Sequence, residues 1–349
     1  MRYFSYRNKM RLRTALITLL ITLAVLAVIA IGVFVYLQRY VVYTPDGAHL
    51  DFSTRPGAGT PNDSPVNPNF DVEESPILPD AGIILDGTAE DAGISALTKL
   101  AGYYVTGEML SDTSAVLDAL GTVSEPTAVL LDVKSVYGNY YYSTSVSGAD
   151  TSSLVDAAAV DTLIENLAAM QNVYLIARLP AFRDSAFALS NQDSGLPLSS
   201  GALWMDSESC YWLDPAEGKV ITRLESIALE LQSLGFDEVV YDDFYFPDSP
   251  NIAYDNDRDA VVADAAKRLS ANLAGEDIVF SLCSSSLSLA AYASRLYVSG
   301  IDGADVQSLA QSLESVYSPL QEHLVFLTDS RDTRFADYGL LQPLFESES

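Results

Sequence analysis

Carboxylates and one arginine lie near the ends of three apolar runs, and they are the residues in this chain best suited to chemistry. Asp132 lies in AVLLDVK, Arg178 in VYLIARL, and the adjacent Asp242 and Asp243 in EVVYDDF. Adjacent side chains on a strand point to opposite faces, so one acid of this pair must face inward. Glycosidic cleavage needs two carboxyl groups, one to protonate the leaving oxygen and one to attack or to activate water. We predict a catalytic group in which Arg178 and Asp132 keep Asp242 ionised and oriented, with Asp243 beside it.

Histidine and cysteine chemistry is largely excluded by counting. The 349 residues contain 2 His, His49 and His323, so no histidine-rich zinc site can be built and a serine triad would depend on His323. Cys210 and Cys283 form no CxxC motif, and their spacing leaves open whether they pair. We expect neither a metal ion nor another cofactor.

Short β-branched and aromatic runs that alternate with helix-like segments must carry these residues. Eight runs are candidate strands: GIILDG (82–87), GYYVTG (102–107), AVLLDVK (128–134), VYLIARL (173–179), EVVYDDF (238–244), DIVFSLC (277–283), RLYVSG (295–300) and HLVFLTD (323–329). Apolar strands separated by amphipathic helices, such as the one over residues 220–234, indicate a parallel sheet covered by helices. Eight strands favour an α/β fold of the (β/α)8 TIM-barrel type over a doubly wound sheet. The barrel is irregular or incomplete if GIILDG is a stray strand, since no clear strand follows residue 330.

Function in such a barrel gathers at the carboxyl ends of the strands, where aromatic residues are also frequent. Tyrosine and tryptophan rings can stack on the apolar faces of sugars, although ordinary packing is the alternative for the triplet at 140–142. The predicted substrate-binding residues are Tyr104, Lys134, Tyr142, Trp212 and Tyr245. Asp214 is different, because Asp214, Pro215 and Glu217 form the pattern of an N-cap, a first-turn proline and a capping-box partner.

The N-terminal part has the features of a membrane anchor. Residues 14–37 carry no charge over 24 positions, about 36 Å as a helix against a bilayer core of roughly 30 Å. Five bases precede this run and one follows it, which predicts a cytoplasmic N-terminus. A cleaved signal peptide is the alternative, but the run is long and no small-x-small site follows. The predicted organisation is a cytoplasmic basic segment (1–13), a transmembrane helix (14–37), a disordered extracellular stalk (38–80) and a barrel domain (81–349).

The charge distribution limits the partners. From residue 40 onward 13 bases face 47 acids, a net charge of −34. Nucleic acid and anionic lipid are therefore unsuitable partners for this part of the chain. We expect a polysaccharide or oligosaccharide as partner and contact with the membrane through the single N-terminal helix only. The expected location is the cell membrane, with the C-terminal domain outside.

Several motifs in order resemble one family of bacterial proteins. YLIARLPAFRDSAFA and GALWMDSESCYWLDPAEGKVITRLESIALELQSLGFDEVVYDDFYFPDS, with GYYVTG and LLDVKSVYGNYYYSTS before them, are similar to the YngK-like glycoside hydrolases with an amylase-type barrel. The resemblance covers about residues 100–250. It implies hydrolysis of O-glycosyl bonds in a polysaccharide of the cell envelope or the surroundings. It also implies roles for Asp242, Asp132, Arg178 and Asp214, and the similarity of YDDFYFP to FDDYFYP in a neighbouring family adds Asp243.

The later strands depart from that family. Amylase-type barrels have a general acid on the strand after the nucleophile, whereas DIVFSLC ends in Cys283. The acid would then come from Asp302, Asp329 or Glu108, or be absent. In the last case the domain is a catalytically inactive barrel that binds carbohydrate or serves envelope assembly. A receptor for small ligands is a third reading, and it would have a closed apolar pocket instead of a groove.

Overall fold

The computed structural model describes residues 41–44, 47–50 and 98–345. The chain divides into two compact units, residues 1–85 and 86–349. In the first unit, Val41–Thr44 and Gly47–Leu50 pair as an antiparallel hairpin within the segment expected to be a stalk. The predicted transmembrane segment 14–37 and the rest of the stalk lie outside the described residues. Among the helices that are described, none combines the length and the apolar character needed to cross a bilayer.

Residues 98–345 contain a closed barrel of parallel strands, which confirms the (β/α)8 barrel. The strands are β1 (Ala101–Val105), β2 (Thr127–Asp132), β3 (Val173–Pro180), β4 (Glu238–Asp242), β5 (Val279–Cys283), β6 (Leu296–Ser299), β7 (Leu324–Leu327) and β8 (Gly339–Pro343). Each strand pairs with the next along the chain, and β8 pairs with β1. The polar ends of the strands therefore meet at one mouth.

The eighth strand is not the one that the sequence pattern suggested. GIILDG lies outside the described residues, and the barrel is closed instead by β8, after residue 330. This strand is short and has glycine and proline at its ends, which weakens a strand signal. Gly339 has a tertiary reason, because a Cβ there would lie 2.9 Å from Val325 Cγ2 and 3.1 Å from the Leu324 carbonyl oxygen.

Helices cover the outside of the barrel. Within the described part they are α1 (Thr113–Gly121), α2 (Ala157–Ala168), α3 (Ser185–Ser190), α4 (Gly218–Ser233), α5 (Arg258–Asn272), α6 (Leu287–Ala290) and α7 (Val306–Leu313). Short 3-10 turns occupy Met109–Asp112, Gln192–Ser194, Leu320–Glu322 and Thr333–Asp337. The predicted apolar face of α4 is buried at Val220, Leu224, Ile227 and Leu231. Hydrophobic burial of such faces holds the helices on the sheet.

The start of α4 corrects one prediction. The helix begins at Gly218 with Glu217 as N-cap, so Asp214 and Pro215 lie before it. The Asp214 carboxylate accepts hydrogen bonds from the Ala216 N–H at 2.9 Å and the Tyr254 hydroxyl at 2.7 Å, and so closes a turn ahead of the helix. At the other end Gly235 has φ +91°, the left-handed conformation that ends a helix.

The base of the barrel is closed by a buried ion pair that the sequence pattern did not reveal. Glu238 and Arg295 are both 0% exposed, and Glu238 Oε2 accepts a hydrogen bond from Arg295 Nη1 at 2.6 Å. The hydroxyls of Tyr174 and Tyr297 donate to the same carboxylate at 3.1 and 2.9 Å. Above them the interior is filled by apolar side chains that include Leu130, Ile176, Val240, Val325 and Leu341. Access to the interior is therefore from the mouth.

Candidate active site

Strand alternation aims three of the predicted site residues into the mouth. Asp132, Arg178 and Asp242 each follow, by two positions, a residue buried inside the barrel: Leu130, Ile176 and Val240. Side chains two apart on a strand share a face, so all three point toward the barrel axis. Asp132 and Arg178 also stand opposite each other in the β2–β3 pairing. The structure thus brings these predicted catalytic residues together.

One guanidinium lies between two carboxylates in this cluster. Arg178 Nε and Nη2 donate to Asp132 Oδ1 and Oδ2 at 2.7 and 3.1 Å, a bidentate pair. Arg178 Nη1 lies 4.0 Å from Asp242 Oδ2, and the Asp242 side chain is 39% exposed against 19% for Asp132. Burial would lower the pKa of Arg178, but the charge and hydrogen bonds of Asp132, together with the Asp242 charge, outweigh it and hold that pKa above its ordinary value. Asp242 therefore faces the solvent beside a permanent positive charge.

Asp243 occupies a different environment from its neighbour. Its backbone has φ 49°, an uncommon left-handed conformation that aspartate tolerates, and its N–H donates to Asp242 Oδ1 at 2.8 Å. Burial, and then the Asp242 charge, raise the pKa of Asp243 to about 6, against the opposing effect of Arg183. A carboxyl group with such a pKa holds a proton in mildly acidic solution. Asp243 can therefore donate a proton in mildly acidic solution.

These residues line an open cleft of about 460 Å³. The lining residues come from β2 and the loop after it and from the ends of β3 and β4: Asp132, Lys134, Ser135, Val136, Tyr137, Asn139, Tyr141, Ser152, Leu154, Arg178, Leu179, Pro180, Asp242 and Asp243. Tyr141 reaches this wall because Gly107 lies under its ring, where a Cβ would be 2.5 Å from Tyr141 Cζ. The cleft has polar and aromatic walls and is accessible to solvent.

The next strand places a thiol beside the carboxylates. Burial, and then the Asp242 charge, raise the pKa of the Cys283 thiol, which keeps it neutral. Across the mouth, burial followed by the Asp329 carboxylate raises the pKa of Tyr104. Cys210 and Cys283 are both free thiols. The end of β5 thus holds a neutral thiol.

The structure corrects three of the predicted substrate-binding residues. Tyr142 is fully buried, and its hydroxyl donates to Glu230 Oε2 at 2.7 Å. Trp212 is 2% exposed, and its Nε1 donates to Asp206 Oδ2 at 2.8 Å. Lys134 reaches the cleft wall, but its ammonium pairs with Asp184 at 2.9 Å, where both side chains are 1% exposed. The polar atoms of all three are therefore paired within the protein.

The two other predicted binding residues have surfaces open to a ligand. Tyr104 is half-buried at the mouth, and Tyr245, two positions after Asp243, is 51% exposed. The proposed substitutes for the missing acid, Glu108, Asp302 and Asp329, are exposed on the loops. The Asp302 carboxylate accepts a hydrogen bond from the Ala304 N–H in its own turn at 2.9 Å. Within residues 98–345 no cluster of three His, Cys, Asp or Glu side chains is arranged to hold a metal ion.

Arg183 is a site residue that the sequence pattern missed. Its Nη2 lies 3.0 Å from Asp206 and 2.8 Å from Glu208, and its Nη1 lies 3.7 Å from Asp243. Its guanidinium also lies over the Trp212 ring at 5.6 Å. Arg183 connects Asp243 to the loop that carries both acids. The sequence did contain a signal for this site residue, namely a charged pair, Arg183 and Asp184, shortly after the end of β3.

Residues 102–299 match the model of the family DUF4015, described as "Putative glycosyl hydrolase domain". The match covers more than half of the chain and includes Asp132, Arg178, Asp242 and Asp243. The chain belongs to this family. It is a glycosyl hydrolase-like barrel. Among curated proteins no match was found.

Solved structures give weaker similarities. A hypothetical protein from Ruminiclostridium thermocellum is 20% identical, with a TM-score of 0.45 over 51% of this chain and 96% of that one. The α-galactosidase from Lactobacillus brevis is 13% identical, with a TM-score of 0.48 over 72% of this chain and 38% of that one. The glycoside hydrolase domain of PelA from Pseudomonas aeruginosa is 15% identical, with a TM-score of 0.43 over 70% of this chain and 94% of that one. The chain thus spans well under half of the galactosidase.

Proposed function

We propose that this barrel hydrolyses an O-glycosidic bond, with Asp242 and Asp243 as the catalytic pair. The observation that carries the proposal is that two adjacent carboxyl groups in one open cleft have opposite environments. Asp242 is exposed beside Arg178, whereas burial and the Asp242 charge raise the pKa of Asp243 to about 6. Pairs of acids whose environments separate their pKa values are the usual arrangement for one acid and one nucleophile or base.

The reaction follows from the raised pKa of Asp243 and from the position of Asp242 beside Arg178. Protonated Asp243 donates its proton to the glycosidic oxygen as the C–O bond breaks, and the leaving sugar departs as an alcohol. The positive charge that develops on the remaining sugar faces the carboxylate of Asp242, which stabilises it directly or as a nucleophile. Water then supplies the hydroxyl group of the second product, and its remaining proton returns to Asp243. Asp132 holds Arg178, and Arg178 positions Asp242, so both act through Asp242.

The finer assignment to the YngK-like, amylase-type group is part of this proposal. Its support is the ordered run of motifs over residues 100–250 and the position of Asp242 at the end of β4. Asp243 takes the role of the acid that the amylase-type pattern would place near Cys283. We infer that the substrate is an uncharged polysaccharide of the cell envelope or the surroundings, since residues 81–349 carry 40 acids and 12 bases, and a net charge of −28 repels anionic chains.

Asp242→Asn tests the chemistry. The change removes the charge and keeps the shape, so hydrolysis of polysaccharides by the full-length protein should fall by roughly 100- to 1000-fold or more. Sugar binding and the melting temperature should be retained. Asp118→Asn, an exposed acid on α1, is the control and should leave turnover unchanged. Binding without turnover by the unchanged protein would indicate an inactive binding module, and unchanged activity of Asp242→Asn per folded molecule would end the assignment.

The location is a separate proposal. Charge asymmetry around residues 14–37 supports an anchor with its N-terminus in the cytoplasm and the barrel outside the cell. Protease added to intact cells should then release a soluble fragment that begins within residues 44–80. Protection of the barrel until the membrane is broken would reverse the orientation.

A further inference from the structure

A second hollow of about 600 Å³ lies outside the catalytic cleft. Its lining residues come from the segment after α3 and from the loop after β4: Leu198, Ser199, Ser200, Leu203, Trp204, Met205, Tyr211, Pro250, Asn251, Ile252 and Ala253. Trp204, Leu203 and Tyr211 are half-exposed, while Ser199, Ser200 and Asn251 are exposed at its edge. The hollow thus combines aromatic surface with a rim of hydroxyl and amide groups.

Backbone hydrogen bonds hold this hollow in shape. The Leu198 N–H donates to the Ala202 carbonyl at 2.7 Å, and the Trp204 N–H donates to the Leu196 carbonyl at 2.7 Å. The Ala253 N–H donates to the Pro197 carbonyl at 2.8 Å, which ties the two walls together. A site built in this way loses little conformational freedom when a ligand binds.

Aromatic side chains connect the hollow with the catalytic cleft. The Tyr245 ring, two positions after Asp243, lies 5.0 Å from the Trp212 ring, which lies 6.4 Å from the Trp204 ring. The turn between Met205 and Tyr211, whose two end residues line the hollow, is hydrogen-bonded to the cleft. The hydroxyl of Tyr137, which lines the cleft, donates to the Glu208 carbonyl in this turn at 3.2 Å.

The chemistry of the hollow fits a sugar ring. A sugar presents an apolar C–H face, which suits an aromatic ring, and hydroxyl groups at its edge, which suit serine and asparagine. None of the residues that line the hollow, all of them described, carries a charge. An uncharged sugar is therefore better matched than an anionic one.

We propose that the hollow at Trp204 is a second glycan-binding subsite, which takes a further unit of the same uncharged chain whose scissile bond lies at Asp242 and Asp243. This inference rests on the proposed function. It implies that the substrate is a polymer or a long oligosaccharide that passes over the exposed ring of Tyr245. Disaccharides would occupy the cleft without reaching the hollow.

Trp204→Ala in the full-length protein tests the subsite on cello-, chito- and malto-oligosaccharides of two to six units. Loss of one aromatic contact should lower kcat/KM for the hexasaccharide about five- to tenfold, through KM, and leave the disaccharide unaffected. Trp204→Phe should restore most of the loss, and Asn251→Ala should give a smaller loss of the same kind. Tyr292→Ala, which removes a half-buried ring at the base of the barrel, is the control and should show no dependence on length.

The outcomes separate this inference from the proposed function. If the unchanged protein hydrolyses none of these sugars, the proposed function fails for them. The subsite can still be tested, because calorimetry measures the affinity of the unchanged protein and of Trp204→Ala for each hexasaccharide. Weaker hexasaccharide binding by the variant then supports the subsite. An equal loss at every chain length, no loss at all, or no hexasaccharide binding by the unchanged protein would overturn it. The melting temperature of each variant identifies losses that come from misfolding.

Discussion

Each end of the barrel pairs an arginine with a carboxylate, but only one of the two pairs leaves a charge free for a ligand. At the base, Arg295 and Glu238 are 2.6 Å apart and fully buried. At the mouth, Arg178 and Asp132 are 2.7 Å apart, and their side chains are 18% and 19% exposed. A further carboxylate, Asp242, lies 4.0 Å from the same guanidinium at the mouth.

The difference shows how position changes the role of the same pair of groups. At the base, burial followed by the Glu238 charge raises the pKa of Tyr174 and Tyr297, so both hydroxyls remain donors to Glu238. Together with Arg295, these hydroxyls supply the Glu238 carboxylate with the hydrogen bonds that water cannot provide at this buried position. At the mouth, Arg178 is shared between a carboxylate that it binds and one that it does not bind. Asp242 is therefore available to a substrate, whereas Glu238 is not.

Arg295→Met should have the largest effect on stability. It leaves Glu238 charged and buried, which should lower the free energy of unfolding by about 3–5 kcal/mol and the melting temperature by roughly 10 °C. Urea denaturation and calorimetry measure both. Adding Glu238→Leu should recover much of the loss, because the unpaired charge is gone. A loss below about 1 kcal/mol would show that water reaches the base.

Arg178→Met should separate stability from activity. Because Asp132 remains partly solvated, the free energy of unfolding should fall by only about 1–2 kcal/mol. Turnover should fall by about 100-fold, because Asp242 loses its neighbouring positive charge. Arg268→Met is the matched control, since its ion pair with Asp264 is exposed and should contribute little to either quantity. Equal stability losses for Arg178→Met and Arg295→Met would contradict the comparison of the two ends.

Asp243→Asn should change stability in the opposite direction, and only at high pH. The folded pKa of Asp243, about 6, lies above the unfolded value, so its contribution to stability is present below the unfolded pKa and is lost as pH rises through about 6. Asparagine does not titrate and tolerates a left-handed backbone, so the variant should exceed the unchanged protein by about 2 kcal/mol at pH 8 and lose that advantage near pH 4. Melting curves across this range measure the difference.

A second carboxylate provides the contrasting pH control. Hydrogen bonds from Arg334 lower the pKa of Asp332 to about 2. Its contribution to stability is therefore present above the unfolded pKa and is lost as pH falls through about 2. Asp332→Asn should then reduce the melting temperature at neutral pH, the opposite of Asp243→Asn. The same direction for both variants would show that Asp243 is not buried as described.

Strand patterning explains why much of the site could be predicted. Period-two alternation along β2, β3 and β4 places Asp132, Arg178 and Asp242 after buried interior residues, and parallel strands bring their carboxyl ends together. Local pattern alone was enough for these three positions. Local pattern was not enough for β8, because its terminal glycine and proline weaken the strand signal. This strand is stabilised by its hydrogen bonds to β7 on one side and to β1 on the other.

The sequence by itself determined the barrel, the strand ends that carry the carboxylates and the acidic character of the domain, because each depends on local periodicity or on composition. Tertiary structure alone decided which polar groups remain free. Tyr142 is bound by Glu230, a partner 88 positions away, and Lys134 by Asp184. Burial gives Asp243 its raised pKa, and a hydrogen bond to Tyr137 of the cleft holds the turn that borders the Trp204 hollow. Such contacts join distant parts of the chain, and residue types and spacing carry no record of the distances between them.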